Sequence, residues 1–280
     1  MSTAEWGRGI VGLISLAVLT LAMSGPAWAE EARTTPGLSV AERLAQLEKA
    51  ISAHKRAKDA DGLLSDIKQL VGVHEQATED AKVRKGVIKA LGGLTRSRPT
   101  CTTVKVAALE GIGATRDPDG ARYVKSFLKR ALRARSTTAP MRAAVGAAQQ
   151  IADDSLVDPL LKIVEDCRDF ALAAQAVQAL GHFRECKRKR AKILETIVDT
   201  VAKDCPGLKG RNKDPVPNDQ YRHTGELARN RWQTLSRVLP TAMYELTGNE
   251  TLKGVDIHWW IEIVRNNKRN LNALFVDDEG

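Results

Sequence analysis

Apolar positions recur every three or four residues through most of the chain, which is the spacing of one face of an α-helix. The first such segment follows Ser39, where Ala41, Leu44, Leu47 and Ile51 are separated by charged and polar residues. The chain is also poor in aromatic residues, which make up 4% of it. That content disfavours a strand-rich sandwich or barrel. The pattern therefore predicts an all-α fold.

Four segments in the middle of the chain resemble one another as small-residue helices with an apolar stripe. They read VRKGVIKALG from Val83, VKVAALEGIG from Val104, MRAAVGAAQQ from Met141 and LAAQAVQALG from Leu172. Two of them are followed by acidic residues and a new apolar segment, at 115–132 and 153–164. Aspartate accepts the free amide protons of a helix start, and proline is tolerated in the first turn. The order predicts pairs of helices joined by short turns.

This alternation resembles the HEAT-repeat family in its short bacterial form, in which a Val-Arg-x-Ala-Ala-x-x-Ala-Leu-Gly helix is followed by an Asp-capped partner. The resemblance covers about Ala81 to Asp204. It implies a right-handed α-solenoid of antiparallel helix pairs, whose stacked neighbours bury faces that no single pair could bury. Such solenoids serve as binding surfaces for many unrelated partners, so the resemblance implies a binding function without naming the partner.

The amino-terminal segment differs from the repeats. Residues 10–23 form an apolar run that is followed by Gly25-Pro26 and Ala27-Trp28-Ala29. This order is typical of a secretory signal with an A-x-A cleavage site. A bilayer-spanning helix needs roughly 20 apolar residues, so an uncleaved anchor is the weaker alternative. We expect a signal peptide at 1–29, cleavage near Ala29, and a periplasmic or extracellular protein that begins with a linker at 30–38.

The carboxyl-terminal part also departs from the repeats, which we place at 39–204. Turn-forming residues fill 205–222 and predict an irregular loop, and loops of this length are usually functional or disordered. Residues 223–280 are interpreted as a helical cap, with a helix over 226–246 that is kinked at Pro240.

The end of this cap carries a second resemblance. Leu246-Thr247-Gly248, then Trp259-Trp260, then Asn266-Asn267-Lys268 resemble the tail of exported HEAT-repeat proteins from planctomycetes and myxobacteria, in which a Trp-rich helix closes the last repeat. The resemblance implies that Trp259 and Trp260 belong to the core. An exposed aromatic docking site is the alternative.

Positive charge is concentrated in two places. The chain has 43 Lys and Arg against 34 Asp and Glu, a net charge of +9, and no acid lies between Asp119 and Asp153. Four bases in this acid-free stretch share one face of a predicted helix: Arg122, Lys125, Lys129 and Arg133. A second cluster contains Lys187, Arg188 and Arg190. Aligned by a solenoid, the clusters would form one continuous basic surface for polyanions, whereas the plain interpretation is two solvated faces.

The four cysteines, Cys101, Cys167, Cys186 and Cys205, would meet an oxidising compartment after export. A helix predicted over 170–183 separates Cys167 from Cys186 by roughly 20 Å, which is too far for a disulfide. The next antiparallel helix returns Cys205 towards Cys167, so Cys167 with Cys205 is the pairing that we expect. Free thiols are the alternative.

No common catalytic, metal or cofactor motif is present in the sequence. Gly111-Ile112-Gly113 begins like a dinucleotide fingerprint but is interpreted as a helix stop. Asp256 and His258 form a close acid and imidazole pair, a kind that occurs often by chance. We expect no catalytic residue, no metal and no cofactor.

Two functional hypotheses remain. The leading one is an exported, non-catalytic scaffold that binds another protein. The alternative is a basic solenoid that binds anionic envelope polymers or lipid headgroups. Nucleic acid is not an expected partner, because an exported protein rarely meets it.

Overall fold

The computed structural model describes residues 38–96, 100–134, 138–204 and 226–276. Within these ranges the regular secondary structure is helical and no β-strand is present, which confirms the predicted all-α class there. The predicted signal peptide at 1–29, the loop at 205–222 and all but the last residue of the linker at 30–38 lie outside the described residues.

Eleven α-helices follow one another in the described ranges: α1 (Val40–Ala57), α2 (Ala60–Gln76), α3 (Ala81–Arg96), α4 (Thr102–Thr115), α5 (Ala121–Arg133), α6 (Ala139–Ile151), α7 (Val157–Asp166), α8 (Phe170–Gly181), α9 (Arg190–Ala202), α10 (Glu226–Thr247) and α11 (Ile257–Asn266). The helix predicted over 226–246 is α10, and Pro240 lies inside it.

The predicted helix restarts begin with aspartate caps. The Asp117 carboxylate accepts the amide proton of Asp119 at 2.9 Å, and Asp153 accepts that of Ser155 at 2.8 Å. Each cap opens a single 3₁₀ turn that leads directly into α5 or α7. Both restarts predicted from the sequence are confirmed.

The helix stop expected at 111–113 is wrong. Helix α4 continues through both glycines to Thr115, and the chain turns at Arg116, which has a left-handed φ of 49°. Gly113 has a different role, because a Cβ atom there would lie 2.8 Å from the Ala147 Cα atom of α6. The glycine therefore permits close packing of two helices.

The order of helix contacts is regular. Even-numbered helices contact the next even-numbered helix from α2 to α10, and odd-numbered helices contact the next odd-numbered one from α1 to α11. Each odd-numbered helix up to α9 also contacts the even-numbered helix that follows it. The apolar sides of both rows contribute to one core, which extends from Leu44 in α1 to Phe275 behind α11.

Two contacts in the even row bring backbones close together. Gly113 packs on Ala147 between α4 and α6, and Gly181 packs on Ala242 between α8 and α10, where an added Cβ would lie 3.0 Å from the Ala242 carbonyl oxygen. These two helix pairs have the most extensive contacts in the described structure.

The intervening contact between α6 and α8 is smaller and more polar. Arg142 pairs with Asp169 at 3.0 Å, and the Gln175 amide donates to the Arg142 carbonyl at 3.2 Å. The Gln149 amide donates to the His182 ring at 2.7 Å. Side-chain hydrogen bonds therefore join the two halves of this row.

Candidate functional site

Helix α5 places its basic residues on the solvent side, as the sequence predicts. Arg122, Lys129 and Arg133 are exposed and Lys125 is half-buried, while Val124, Leu128 and Ala131 on the opposite side are buried. Arg130 is exposed beside this face, with its guanidinium carbon 6.0 Å from the Phe127 ring centre. The amphipathic pattern fixes which side of α5 faces the core.

Helix α3 supplies cations that the sequence analysis missed. Its 16 residues contain no carboxylate, and Lys82, Lys85, Lys89 and Arg96 are exposed. The spacing i, i+3, i+7 of the three lysines matches that of Arg122, Lys125 and Lys129, and it places them on one side of the helix. This spacing could have identified α3 from the sequence, as the same pattern identified α5.

We define the basic surface as the exposed cations of α3 together with the exposed or half-buried cations of α5; the two helices contact each other. It consists of Lys82, Lys85, Lys89 and Arg96 of α3 and Arg122, Lys125, Lys129, Arg130 and Arg133 of α5. Among the described residues, none of these nine cations forms an ion pair. Because no carboxylate of the described ranges compensates these charges, we expect a positive potential at this surface.

Tyr123 joins the two helices at the centre of the basic surface. Its ring is 7% exposed and packs on Gly92 of α3, where any side chain would overlap it. The guanidinium carbon of Arg96 lies 4.9 Å from the ring centre, and that of Arg122 lies 4.8 Å from it. The cations of α3 therefore meet those of α5 at this ring.

Two lysines of the second predicted cluster, which spans Lys187 to Lys192, share one carboxylate. Lys189 and Lys192 bind the two carboxylate oxygens of Asp158 in α7 at 3.0 and 2.9 Å. The hydrogen bonds from Lys192 and then Lys189 hold the pKa of Asp158 below its ordinary value of 3.8. Lys187 and Arg188 are exposed.

The expectation that Arg190 is a binding residue on the surface is wrong, because Arg190 is only 7% exposed. Its guanidinium carbon lies 4.5 Å from the ring centre of Phe275, which is also buried. The cation–π contact holds the start of α9 against the carboxyl-terminal segment.

The two clusters do not form one continuous surface as we expected. Helix α7 contacts both α5 and α9, and it carries Asp158, Glu165 and Asp166 against a single base, Lys162. An acidic helix therefore contacts each of the two helices that bear the predicted clusters.

The adjacent tryptophans of α11 have opposite environments. Trp260 is fully buried, as expected, whereas Trp259 is 59% exposed, which corrects the expectation that both lie in the core. Beside them, the Trp232 ring of α10 lies 5.5 Å from the His258 ring, measured between centres. The alternative of an exposed aromatic group holds for Trp259.

Cys101, Cys167 and Cys186 carry free thiols in the structure, and Cys205 lies outside the described residues. The pairing of Cys167 with Cys205 stays a prediction. Burial raises the pKa of the Cys167 thiol and that of Cys186, the latter to about 12. Both thiols are therefore protonated near neutral pH.

The structure pairs histidines with acids that the sequence did not connect. His54 of α1 binds Asp66 of α2 at 2.8 Å, and His74 binds Asp117 at 3.2 Å. The hydrogen bond to Asp66 raises the pKa of His54. The first pair joins successive helices, whereas the second joins α2 to the turn between α4 and α5. Asp256, the acid that we had associated with His258, caps α11 by accepting backbone amide protons.

Among the described residues, no group of three His, Cys, Asp or Glu side chains is arranged to hold a metal ion. No helix in the described ranges is both long enough and apolar enough to cross a membrane. Comparisons with protein-family models, with curated proteins and with solved structures found no match to this chain. The resemblance to HEAT repeats therefore stays a prediction that rests on the motifs quoted above.

Proposed function

We propose that this protein is an exported, non-catalytic binding protein, built as a HEAT-like α-solenoid, whose basic surface binds an anionic polymer of the cell envelope. The observation that carries the proposal is the set of nine cations on α3 and α5 that have no carboxylate partner among the described residues.

The order of helix contacts supports the solenoid part of the proposal. In a solenoid each repeat contacts only its neighbours, and the same helix of successive repeats forms one row. The two rows of alternate helices have this order. Helices α3 and α5 belong to the same row, so their solvent sides are presented by successive units.

The electrostatics favour a polyanion. A single exposed ion pair contributes little free energy because solvent screens it. Many unpaired cations on one surface, however, together attract an extended anion, and its counterions are released when it binds. The cations also follow one another along the surface: Lys82, Lys85 and Lys89 lead along α3 to Arg96, which shares the Tyr123 ring with Arg122 at the start of α5.

The test compares two variants of equal charge. Replacing Lys85, Lys89, Lys129 and Arg133 by Glu reverses the basic surface. The matched control replaces four exposed cations elsewhere, Lys68, Lys203, Arg229 and Arg237, by Glu. Binding of the purified protein to fluorescent polyphosphate and polyglutamate is measured by anisotropy at about 50 and 300 mM salt, where screening lengths differ by more than twofold.

We expect the wild-type protein to bind polyanions at low salt, with an affinity that falls steeply as salt rises. Reversal of the basic surface should lower the affinity more than about 30-fold, and the control should lower it only slightly. Equal losses in the two variants would mean that net charge alone drives binding, and would refute the assignment to α3 and α5. Absence of binding to both polymers would refute the proposed function.

A protein–protein scaffold is the second candidate, and the exposed Trp259 favours it. Tryptophan is enriched at the centres of protein interfaces and rarely left in water. A defined envelope protein that stays bound through a high-salt wash, and that is lost when Trp259 is replaced by Ser, would favour this candidate over the polymer.

A further inference from the structure

Two arginines from different helices share one aromatic ring in the basic surface. The guanidinium carbons of Arg96 and Arg122 lie 4.9 and 4.8 Å from the centre of the Tyr123 ring. Arg122 Nη2 also donates to the Tyr123 hydroxyl at 3.2 Å. Because the ring is buried against Gly92, it is a fixed support, and the two exposed side chains lose less conformational freedom when a ligand binds.

The chemistry of this pair favours phosphate over carboxylate groups on a flexible polymer. A guanidinium group stacked on a ring keeps the N–H groups along its edge for other acceptors, and it matches the oxygens of a phosphate with two parallel hydrogen bonds. A lysine ammonium is a point charge without this geometry. Arg96 and Arg122 make no ion pair with a protein carboxylate among the described residues.

The surroundings favour a polymer over a membrane. A surface that binds lipid combines cations with apolar side chains that enter the headgroup region. The large hydrophobic residues exposed in the described ranges are Trp259 and Val276, and neither belongs to α3 or α5. Lys82 and Arg96 are 14 positions apart, which corresponds to about 20 Å of helix, so the line of cations suits an extended ligand with repeated charges.

We propose that Arg96 and Arg122, held by Tyr123, form a phosphate subsite within the basic surface, and that the polymer bound there carries repeated phosphate groups. The inference rests on the proposed function and deepens it by naming the chemical class of the ligand.

The test replaces both arginines by lysine, which keeps the charge and removes the guanidinium groups. The purified R96K/R122K protein and the wild type are titrated with polyphosphate and with polyglutamate at matched anionic charge. We expect the double variant to lose about fivefold to tenfold in affinity for polyphosphate, the loss of one good charge-assisted hydrogen bond or slightly more, and to keep its affinity for polyglutamate.

The matched control is R229K/R237K, which makes the same replacements at two exposed arginines of α10 outside the basic surface, and it should leave both affinities unchanged. Arg96 is exposed at the last turn of α3, so R96K alone tests the subsite if the double variant loses helical content. R96K should lose part of the polyphosphate affinity.

The possible outcomes separate the two proposals. If R96K/R122K and wild type bind polyphosphate equally, the subsite is wrong while the proposed function stands. If the wild type binds neither polymer, the proposed function is wrong and the subsite fails with it. Vesicles containing phosphatidylglycerol are the third probe, and binding to them as tight as to polyphosphate would overturn the choice of a polymer as the ligand.

Discussion

The basic surface on α3 and α5 and the basic segment at the start of α9 are both dense in lysine and arginine, but among the described residues only the second has cations paired with a carboxylate. Asp158 binds Lys189 and Lys192 there, and the Phe275 ring covers Arg190. On α3 and α5, by contrast, the cations extend into solvent without a carboxylate partner among the described residues.

The difference shows that the role of a run of basic residues, binding a ligand or joining helices, depends on the contacts that the packed helices provide. Helix α9 packs against the acidic α7, and its cations serve to join helices. Helix α5 contacts the same acidic helix as well as α3, which has no acid at all, but none of its bases pairs with an α7 carboxylate among the described residues. A carboxylate neutralises a base only where the packing brings the two side chains together, whatever their distance along the chain.

Reversing the charge of one arginine in each region should give the largest difference, which is a difference in the free energy of unfolding. Arg190→Glu would place a carboxylate against a buried aromatic ring, and we expect a loss of about 3 kcal/mol in the free energy of unfolding. Arg133→Glu makes the same change on the exposed side of α5 and should cost no more than about 0.5 kcal/mol. Urea unfolding followed by circular dichroism measures both. Similar losses would contradict the assignment of Arg190 to the core.

Removal of the Asp158 carboxylate should make the two regions more alike, because both would then present cations without an anionic partner. In Asp158→Asn, Lys189 and Lys192 lose their anionic partner, and we expect the affinity for polyphosphate at low salt to rise about threefold. Asp166→Asn is the matched control on the same helix, because among the described residues Asp166 pairs with Lys162 alone, and its effect should be smaller. Equal gains in both variants would indicate that net charge alone changed the affinity.

The smallest expected effect is the pH dependence of the same ion pair. The folded protein holds the pKa of Asp158 below 3.8, so the stabilisation is present above the pKa of the unfolded chain and is lost as pH falls through the folded value. The unfolding midpoints of wild type and Asp158→Asn should therefore differ at pH 6 and converge once the pH falls below the folded pKa of Asp158. A difference that persists at low pH would show that the asparagine acts through packing.

Local features of the fold were predictable from the sequence because their partners are close in the chain. Asp117 and Asp153 cap the turns that they begin, and the amphipathic spacing of α5 gave the orientation of its basic side. The role of Gly113 was not predictable, because a glycine near a helix end usually indicates that the helix stops there. Here the glycine lets α6 pack closely at Ala147, and that contact is not visible in the sequence.

Half of the candidate site was predictable, because the spacing of basic residues along one helix is also a local feature. The cations of α5 were identified from their spacing, and those of α3 have the same spacing. The meeting of Arg96 with Arg122 at Tyr123 depends on the packing of two helices, which no local pattern encodes. The burial of Arg190 depends on Phe275, which is remote in the chain.

The uneven packing of the even row has a mechanical consequence. Gly113 with Ala147, and Gly181 with Ala242, bring the helix backbones so close that an added Cβ would crowd the neighbouring helix. We therefore expect these two helix contacts to be rigid. Between them, at α6 and α8, a Cβ added to Gly146 would find its nearest neighbour 3.9 Å away, at the Gln175 amide. We therefore expect the row to bend more easily between α6 and α8 than at the contact on either side, with α3 and α5 together on one side of the bend.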